Sequence, residues 1–128
     1  MGSTARSEFR TVSKRARTLL DRTEGLESDF KQTPNAVESS DIVAFANSAR
    51  GGTILVGVEE TQDAQGIQRG RVIGCDVTDQ TKQRILNRAA SCVPPVPVQI
   101  YVENTSKTPF LRIDIPTSAR RPTRSAVR

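Results

Sequence analysis

The sequence contains no histidine and no tryptophan, and aromatic residues make up only 4% of its 128 positions. Without histidine, the commonest general base and metal ligand is missing, so any catalysis has to rest on carboxylates and lysine. The two cysteines, Cys75 and Cys92, lack the paired spacing of a zinc site or a redox motif. We therefore expect them to be reduced thiols in a cytoplasmic protein.

Long apolar segments are also missing. The longest apolar run, residues 53–58, has six residues, whereas a transmembrane helix needs about 20. Residues 1–6 lack the apolar core of a signal peptide. We therefore expect no membrane partner, and the length fits one domain that buries roughly two-thirds of its unfolded surface.

The net charge of +5 is distributed unevenly along the chain. Residues 1–22 carry six Lys or Arg and two acids, residues 119–128 carry four Arg and no acid, and residues 23–118 carry nine bases and twelve acids. This pattern predicts a basic helical extension (1–22), a domain (23–118) and a basic tail (119–128). Basic ends favour a polyanion such as nucleic acid, because binding releases its counterions; solvated termini that keep the protein soluble would give the same pattern.

Hydrophobic periodicity and turn residues predict alternating helices and strands. In chain order these are a basic amphipathic helix (7–22), a half-buried strand (26–31), a helix (35–48) with a capping box of Asn35 and Glu38, an interior strand (53–58), a polar loop (59–70), a short strand (71–73), a helix (79–91) capped by Thr78, and a hairpin of two strands (98–102 and 110–115). The order predicts an α+β fold of mixed α/β layers, with a small mixed sheet packed against two to three helices.

Residues 41–60 are the best candidate for a site. They predict the end of a buried helix, a Gly51-Gly52 turn, a buried strand and then an acidic pair. Asn47 and Ser48 can satisfy the orphan backbone groups at the helix end, and contact with a ligand is the alternative role. The glycines are too few and wrongly spaced for a Walker phosphate loop, so we predict no nucleotide site.

Three pieces of the sequence occur in a recognisable order: Glu24 followed by residues 29–31, residues 42–52, and residues 54–60. Together they resemble the Schlafen/AlbA-like domain family, and the likeness covers about residues 24–116. Gly66-Ile67 and Pro94-Pro95 are similar to a loop glycine and a proline of the family. The residues of the structural signature are Phe45, Asn47, Ser48, Gly51, Gly52 and Gly57.

The sequence departs from the family pattern at three positions. Asp29 replaces a glutamate, and Glu59-Glu60 stand where aspartate is usual. The family pattern also continues past a proline such as Pro122 into a further strand, so we expect a fragment of a longer protein or a shortened module.

The resemblance implies a DNA-binding or more general nucleic-acid-binding module, with a possible role as a regulator. Cationic side chains would contact the phosphates beside the basic first helix: Lys31, Arg50, Arg69, Arg71, Arg120, Arg121 and Arg124. Scattered arginines that only aid solubility are the alternative. We place Phe30, Phe45 and Phe110 in the core, so we predict electrostatic binding without a base-stacking platform.

The resemblance also implies an alternative, since some animal Schlafen proteins are metal-dependent nucleases that use three acids. The matching residues are Glu24, Asp29 and one of Glu59 and Glu60, with Lys31 beside them. Such a site would hold Mg²⁺ or Mn²⁺, and no other cofactor is predicted. Acidic residues that are simply solvated on a strand and a loop would give the same sequence pattern as such a metal site. A second alternative function is a non-catalytic domain that forms a homodimer or docks to a protein.

Overall fold

The computed structural model describes residues 7–21, 27–118 and 123–124. Within these ranges the chain forms three helices and six strands. In chain order they are α1 (Lys14–Leu20), β1 (Ser28–Lys31), α2 (Ser39–Ala46), β2 (Gly52–Val56), β3 (Val58–Gln62), β4 (Gln68–Val72), α3 (Asp79–Ala90), β5 (Gln99–Glu103) and β6 (Phe110–Ile115). None of the helices in the described ranges combines the length and the apolar character needed to span a bilayer.

The main sheet has the strand order β1-β2-β6-β5. β1 runs parallel to β2, and the other neighbours in this sheet are antiparallel. β3 and β4 form a separate antiparallel hairpin. This mixed sheet with its helices confirms the predicted α+β class, and β5–β6 is the hairpin that the sequence predicts.

Both faces of the main sheet are covered by helices. On one face, Ile54 of β2 belongs to an apolar cluster with residues of α2 and α3, including Ile42 and Ile85. On the other face, Leu55 packs in a second cluster with Leu19 of α1. Successive residues of a strand point to opposite faces, so the continuous apolar run of β2 places one side chain in each cluster in turn.

The predicted first helix begins too early, because α1 starts only at Lys14. The hydroxyl of Ser13 accepts a hydrogen bond from the N–H of Ala16 at 3.2 Å and thereby caps the helix. Upstream, the chain is extended along β5, where Phe9 N–H donates to the carbonyl of Val102 at 2.9 Å. Pairing with the sheet edge therefore outweighs the helical periodicity of these residues.

The predicted start of the second helix is also wrong. Residues 34–36 form a short 3₁₀ turn, and α2 begins at Ser39. Val37 between them is extended and fully buried, which separates the two helical pieces. The capping pair of Asn35 and Glu38 does not form, because Asp41 accepts the N–H of Glu38 at 2.9 Å instead.

The predicted loop at 59–70 is wrong, since β3 and β4 occupy most of it. Gly57 ends β2 with a φ of 92°, and its N–H donates to the carbonyl of Lys31 at 2.8 Å. At the hairpin turn, Oδ1 of Asp63 accepts the N–H groups of Gln65 and Ile67 at 2.9 and 3.0 Å. The hairpin forms because this aspartate orders the turn.

Candidate functional site

The turn after α2 is shaped by its glycines and by Ser48. The Ser48 hydroxyl lies 2.8 Å from the carbonyl oxygens of both Phe45 and Gly51. Gly51 has a φ of 73°, and a Cβ at this position would overlap the backbone of Ile115. A Cβ on Gly52 would overlap the ring of Phe45. The turn is therefore tightly packed against β6 and against the last turn of α2.

Asn47 binds a segment far away in the sequence. Its Oδ1 accepts the N–H of Thr123 at 2.7 Å, and its Nδ2 donates to the carbonyl of Thr123 at 2.9 Å. The next residue, Arg124, exchanges two backbone hydrogen bonds with Val93, and its side chain is exposed. Asn47 thus fixes the course of the described tail, whereas Arg120 and Arg121 lie outside the described residues.

Lys31 lies between two carboxylates. Its Nζ is 3.4 Å from Oδ2 of Asp29 and 3.4 Å from Oδ1 of Asp41. Burial alone would lower the pKa of Lys31, but the charges of Asp29 and Asp41 outweigh burial and raise this pKa above its usual value. Asp41 is absent from the predicted site residues, because it comes into the first turn of a helix only when α2 begins at Ser39, later than the sequence predicts.

The hairpin carries two of the predicted arginines, and both are in ion pairs. Arg71 pairs with Glu59 across the two strands, with 2.8 Å from Nε to Oε1. Arg69 pairs with Asp63, with 3.3 Å from Nε to Oδ2. The hydrogen bond from the N–H of Ile67 is the main reason that the pKa of Asp63 lies below its usual value, although burial opposes it. The side chain of Glu60 is exposed on the same strand.

The predicted metal ligands lie on different elements. Asp29 belongs to β1 and Glu59 to β3, and each carboxylate is paired with a cation. Among the described residues, no three His, Cys, Asp or Glu side chains are grouped closely enough to hold a metal ion. Glu24, the third predicted ligand, lies outside the described residues.

A chain of polar side chains crosses the α1 face of the main sheet. Arg112 of β6 lies between two carboxylates, with Nε 2.9 Å from Oε2 of Glu103 and Nη1 2.6 Å from Oδ2 of Asp114. Glu103 is fully buried and also binds Ser13 at the start of α1. The guanidinium of Arg112 stands 4.1 Å from the centre of the Tyr101 ring, within cation–π range.

This chain leads to Arg15 of α1. Oδ1 of Asp114 accepts the hydroxyl of Thr53 at 3.0 Å, and Nη2 of Arg15 donates to that hydroxyl oxygen at 3.2 Å. Arg15 and Arg50 both line an open depression of about 500 Å³ at the start of β2. The side chain of Arg50 is 81% exposed, and its one described ion pair, with Glu27, is long at 3.4 Å.

The structure therefore places the predicted cations on separate elements. Arg50 lies beside Arg15, a residue of α1 that is not among the predicted phosphate contacts. Lys31 lies between carboxylates on β1, and Arg69 and Arg71 lie on the hairpin. Arg15 was missed because its neighbourhood depends on where α1 begins, and the sequence pattern placed that start too early.

Comparisons with known proteins agree with this architecture. The sequence model of the family described as Schlafen, AlbA_2 matches residues 24–128. No curated protein matches the chain by sequence. A similar solved structure is the N-terminal domain of an ATP-dependent DNA helicase RecG-related protein from Nitrosomonas europaea, with a TM-score of 0.58 and 20% identity. The alignment covers 73% of this chain and 65% of that one.

A second similar structure is the DIP2311 protein from Corynebacterium diphtheriae, with a TM-score of 0.51 and 19% identity. This alignment covers 89% of the present chain but only 20% of the other. The chain thus spans less than two thirds of either solved neighbour. At these identities the likeness shows a shared fold.

Proposed function

The chain belongs to the Schlafen, AlbA_2 family, and we propose that it binds nucleic acid by contacting the phosphate groups of the nucleic-acid backbone. One neighbour in fold is part of a protein named for a DNA helicase, which supports association with nucleic acid. Binding by this chain would be mainly electrostatic and would depend steeply on salt, because phosphate contacts release counterions.

The observation that carries the proposal is the depression shared by Arg15 and Arg50. Two guanidinium groups at one open, polar depression can donate several hydrogen bonds to phosphate oxygens in fixed geometry. Arg15 is held by Thr53, whereas Arg50 is mostly exposed and only weakly paired with Glu27. A phosphate can therefore replace Glu27 at Arg50 at little cost, since exposed ion pairs contribute only about 0–1 kcal/mol.

The rest of α1 extends the cationic surface. Residues 9–20 contain four Lys or Arg and no acid, and the side chains of Arg10, Lys14 and Arg17 are exposed. The buried face of α1 packs against the sheet through Ala16 and Leu19. The helix therefore presents its charges from a fixed position, which reduces the entropy lost on binding.

The other predicted cations are proposed as secondary contacts. Arg71 and Arg69 lie on the hairpin in partly exposed ion pairs, in which a phosphate would have to compete with Glu59 and Asp63. Arg124 is exposed at the described end of the tail. Lys31 is the weakest of the set, because two carboxylates already hold its ammonium group.

The proposal is tested by titrating the full chain into labelled single- and double-stranded DNA and RNA, with fluorescence anisotropy as the readout. We expect binding whose logarithmic affinity falls linearly with the logarithm of salt concentration. Arg15→Ala and Arg50→Ala should each weaken binding and reduce the salt slope by about 1. The matched control is Arg84→Ala on α3, because Arg84 is exposed and does not line the depression. No binding to any of these nucleic acids at roughly 50 mM salt would overturn the proposal.

The same titrations, repeated with Mn²⁺ or with EDTA, separate binding from cutting. Cleavage that needs Mn²⁺ and is lost in Glu24→Ala and Asp29→Ala would replace the binding module with the nuclease alternative. Absence of all nucleic-acid binding together with a concentration-dependent change in mass would favour the dimerisation alternative instead.

A further inference from the structure

A second depression is also bordered by Arg50. It has a volume of about 580 Å³ and a mostly apolar lining that includes Ala44, Phe45, Ala49 and Gly51. Arg50 lines both this depression and the polar one beside Arg15. The same arginine thus borders a polar depression suited to a phosphate and an apolar depression suited to a flat ring. We call the second depression the Phe45 pocket.

We infer that the Phe45 pocket holds an unpaired base of single-stranded nucleic acid while Arg50 binds the adjoining phosphate. The inference rests on the proposed function and deepens it, because it names the strand state that the site selects. It also departs from the purely electrostatic binding that the aromatic-poor sequence predicts.

The ring of Phe45 is suited to stacking because it is held in place but not enclosed. It lies directly over Gly52, where even a Cβ would overlap it, and the Phe45 side chain is only half-buried. The volume of the pocket falls within the range of about 300–1,000 Å³ that is usual for small-ligand sites. Every base has a π-face, so stacking on a fixed phenylalanine ring tolerates any sequence.

The charges around the pocket favour a nucleotide over an apolar peptide. Arg50 and Arg15 attract an anion to one side of the pocket, and the carboxylate of Glu27 at its edge can accept hydrogen bonds from the amino group of a base. A base within a duplex is stacked and paired, so it cannot enter without being extruded at a cost of a few kcal/mol. The pocket therefore discriminates between strand states.

The test compares three labelled probes of equal length in EDTA: a single strand, its duplex, and an abasic strand that keeps the phosphates. We expect the single strand to bind roughly tenfold more tightly than the abasic strand. Phe45→Leu should remove this difference, whereas Phe9→Leu, at another half-buried phenylalanine, should keep it. A 2-aminopurine base in the single strand should lose fluorescence on binding the native chain but not the Phe45→Leu variant.

A second variant guards against a folding defect at Phe45. Ala44 is exposed on α2, so Ala44→Leu should fold normally, fill part of the pocket and weaken single-strand binding without affecting the abasic strand. If all three probes bind the native chain equally well, the inference is wrong and electrostatic binding stands. If none of the probes binds, the proposed function itself is wrong.

Discussion

The carboxylate of Glu103 accepts two hydrogen bonds from Ser13, one from its backbone N–H at 2.7 Å and one from its hydroxyl at 2.6 Å. Ser13 is also the residue that caps α1. The same carboxylate binds Arg112. A fully buried glutamate on β5 therefore determines where the cationic helix begins and how it is attached to the sheet.

Replacing Glu103 should destabilise the fold strongly. Glu103→Ala leaves the guanidinium of Arg112 buried with only Asp114, and removal of one partner of a buried ion pair costs about 3–5 kcal/mol. Urea denaturation followed by circular dichroism would measure the loss. Glu60→Ala is the matched control, because that glutamate is exposed and should change stability by less than about 0.5 kcal/mol. Equal losses in the two variants would contradict the anchoring role.

Removing the charge of Glu27 should tighten nucleic-acid binding. Glu27→Gln frees Arg50 from its ion pair and lowers the local negative charge, so we expect the affinity to rise about twofold to fivefold at low salt. Anisotropy titrations would measure the change. Asp79→Asn removes the same charge from α3 and serves as the control, because Asp79 lines neither depression beside Arg50. A gain of the same size in both variants would point to net charge rather than to Arg50.

Two glycines with similar backbones should respond differently to alanine. Gly51 and Gly66 have φ angles of 73° and 80°, a conformation that costs a side chain about 1–2 kcal/mol. At Gly66 a Cβ meets open space, whereas at Gly51 it would overlap backbone atoms of β6 and the residues after it. We expect the free energy of unfolding to fall by about 1 kcal/mol in Gly66→Ala and by at least ~3 kcal/mol in Gly51→Ala. Thermal unfolding would separate them, and similar losses would contradict the packing described for the turn.

The thiol of Cys75 should be unreactive in the native chain. Burial raises the pKa of Cys75 from 9.0 to about 11, and its Sγ lies 3.3 Å from the carbonyl of Val56. At pH 8 the thiolate fraction is therefore about 100-fold lower than in the unfolded chain. A chromogenic disulfide reagent should react slowly until urea is added.

The same pKa shift gives a pH dependence of stability. As the pH rises above 9.0, the thiol of the unfolded chain ionises while the thiol of the folded chain stays protonated. The free energy of unfolding therefore decreases between pH 9 and about pH 11. Urea midpoints measured across this range should fall in the native chain and fall less in Cys75→Ala. If the urea midpoint of Cys75→Ala fell with pH as steeply as that of the native chain, another titrating group would be responsible for the pH dependence.

Elements defined by their own periodicity and caps could be predicted from the sequence. α3 carries its apolar stripe and a Thr78 cap, and β5 and β6 pair as the hairpin that their two apolar segments predict. Elements whose form depends on a distant partner could not. The segment at Phe9 has helical spacing but pairs with β5, which lies far away in the sequence. The hairpin at 59–70 was missed for a different reason, because the local turn that Asp63 orders was read as part of a polar loop.

The site was predictable in part for the same reason. The turn of Ser48 and Gly51 stands out in the sequence, and the structure shows what each residue contacts there. The position of Arg15 beside Arg50 depends on the placement of α1, and that placement depends on Glu103, which is ninety residues away from Ser13 in the sequence. The sequence did contain one signal for this polar chain. Arg112 and Asp114 alternate with buried aliphatic residues in β6, and charged residues within a buried strand need partners.

The pair of hydrogen bonds between Asn47 and Thr123 bears on how the protein should be cut for experiments. The amide side chain binds a peptide unit as a neighbouring strand would, and Val93 holds the following residue. A shortened chain that ends at residue 118 would leave that amide group and Val93 without these partners. Expression boundaries for crystallisation or binding assays should therefore lie beyond Arg124, even though the main sheet is complete at Ile115.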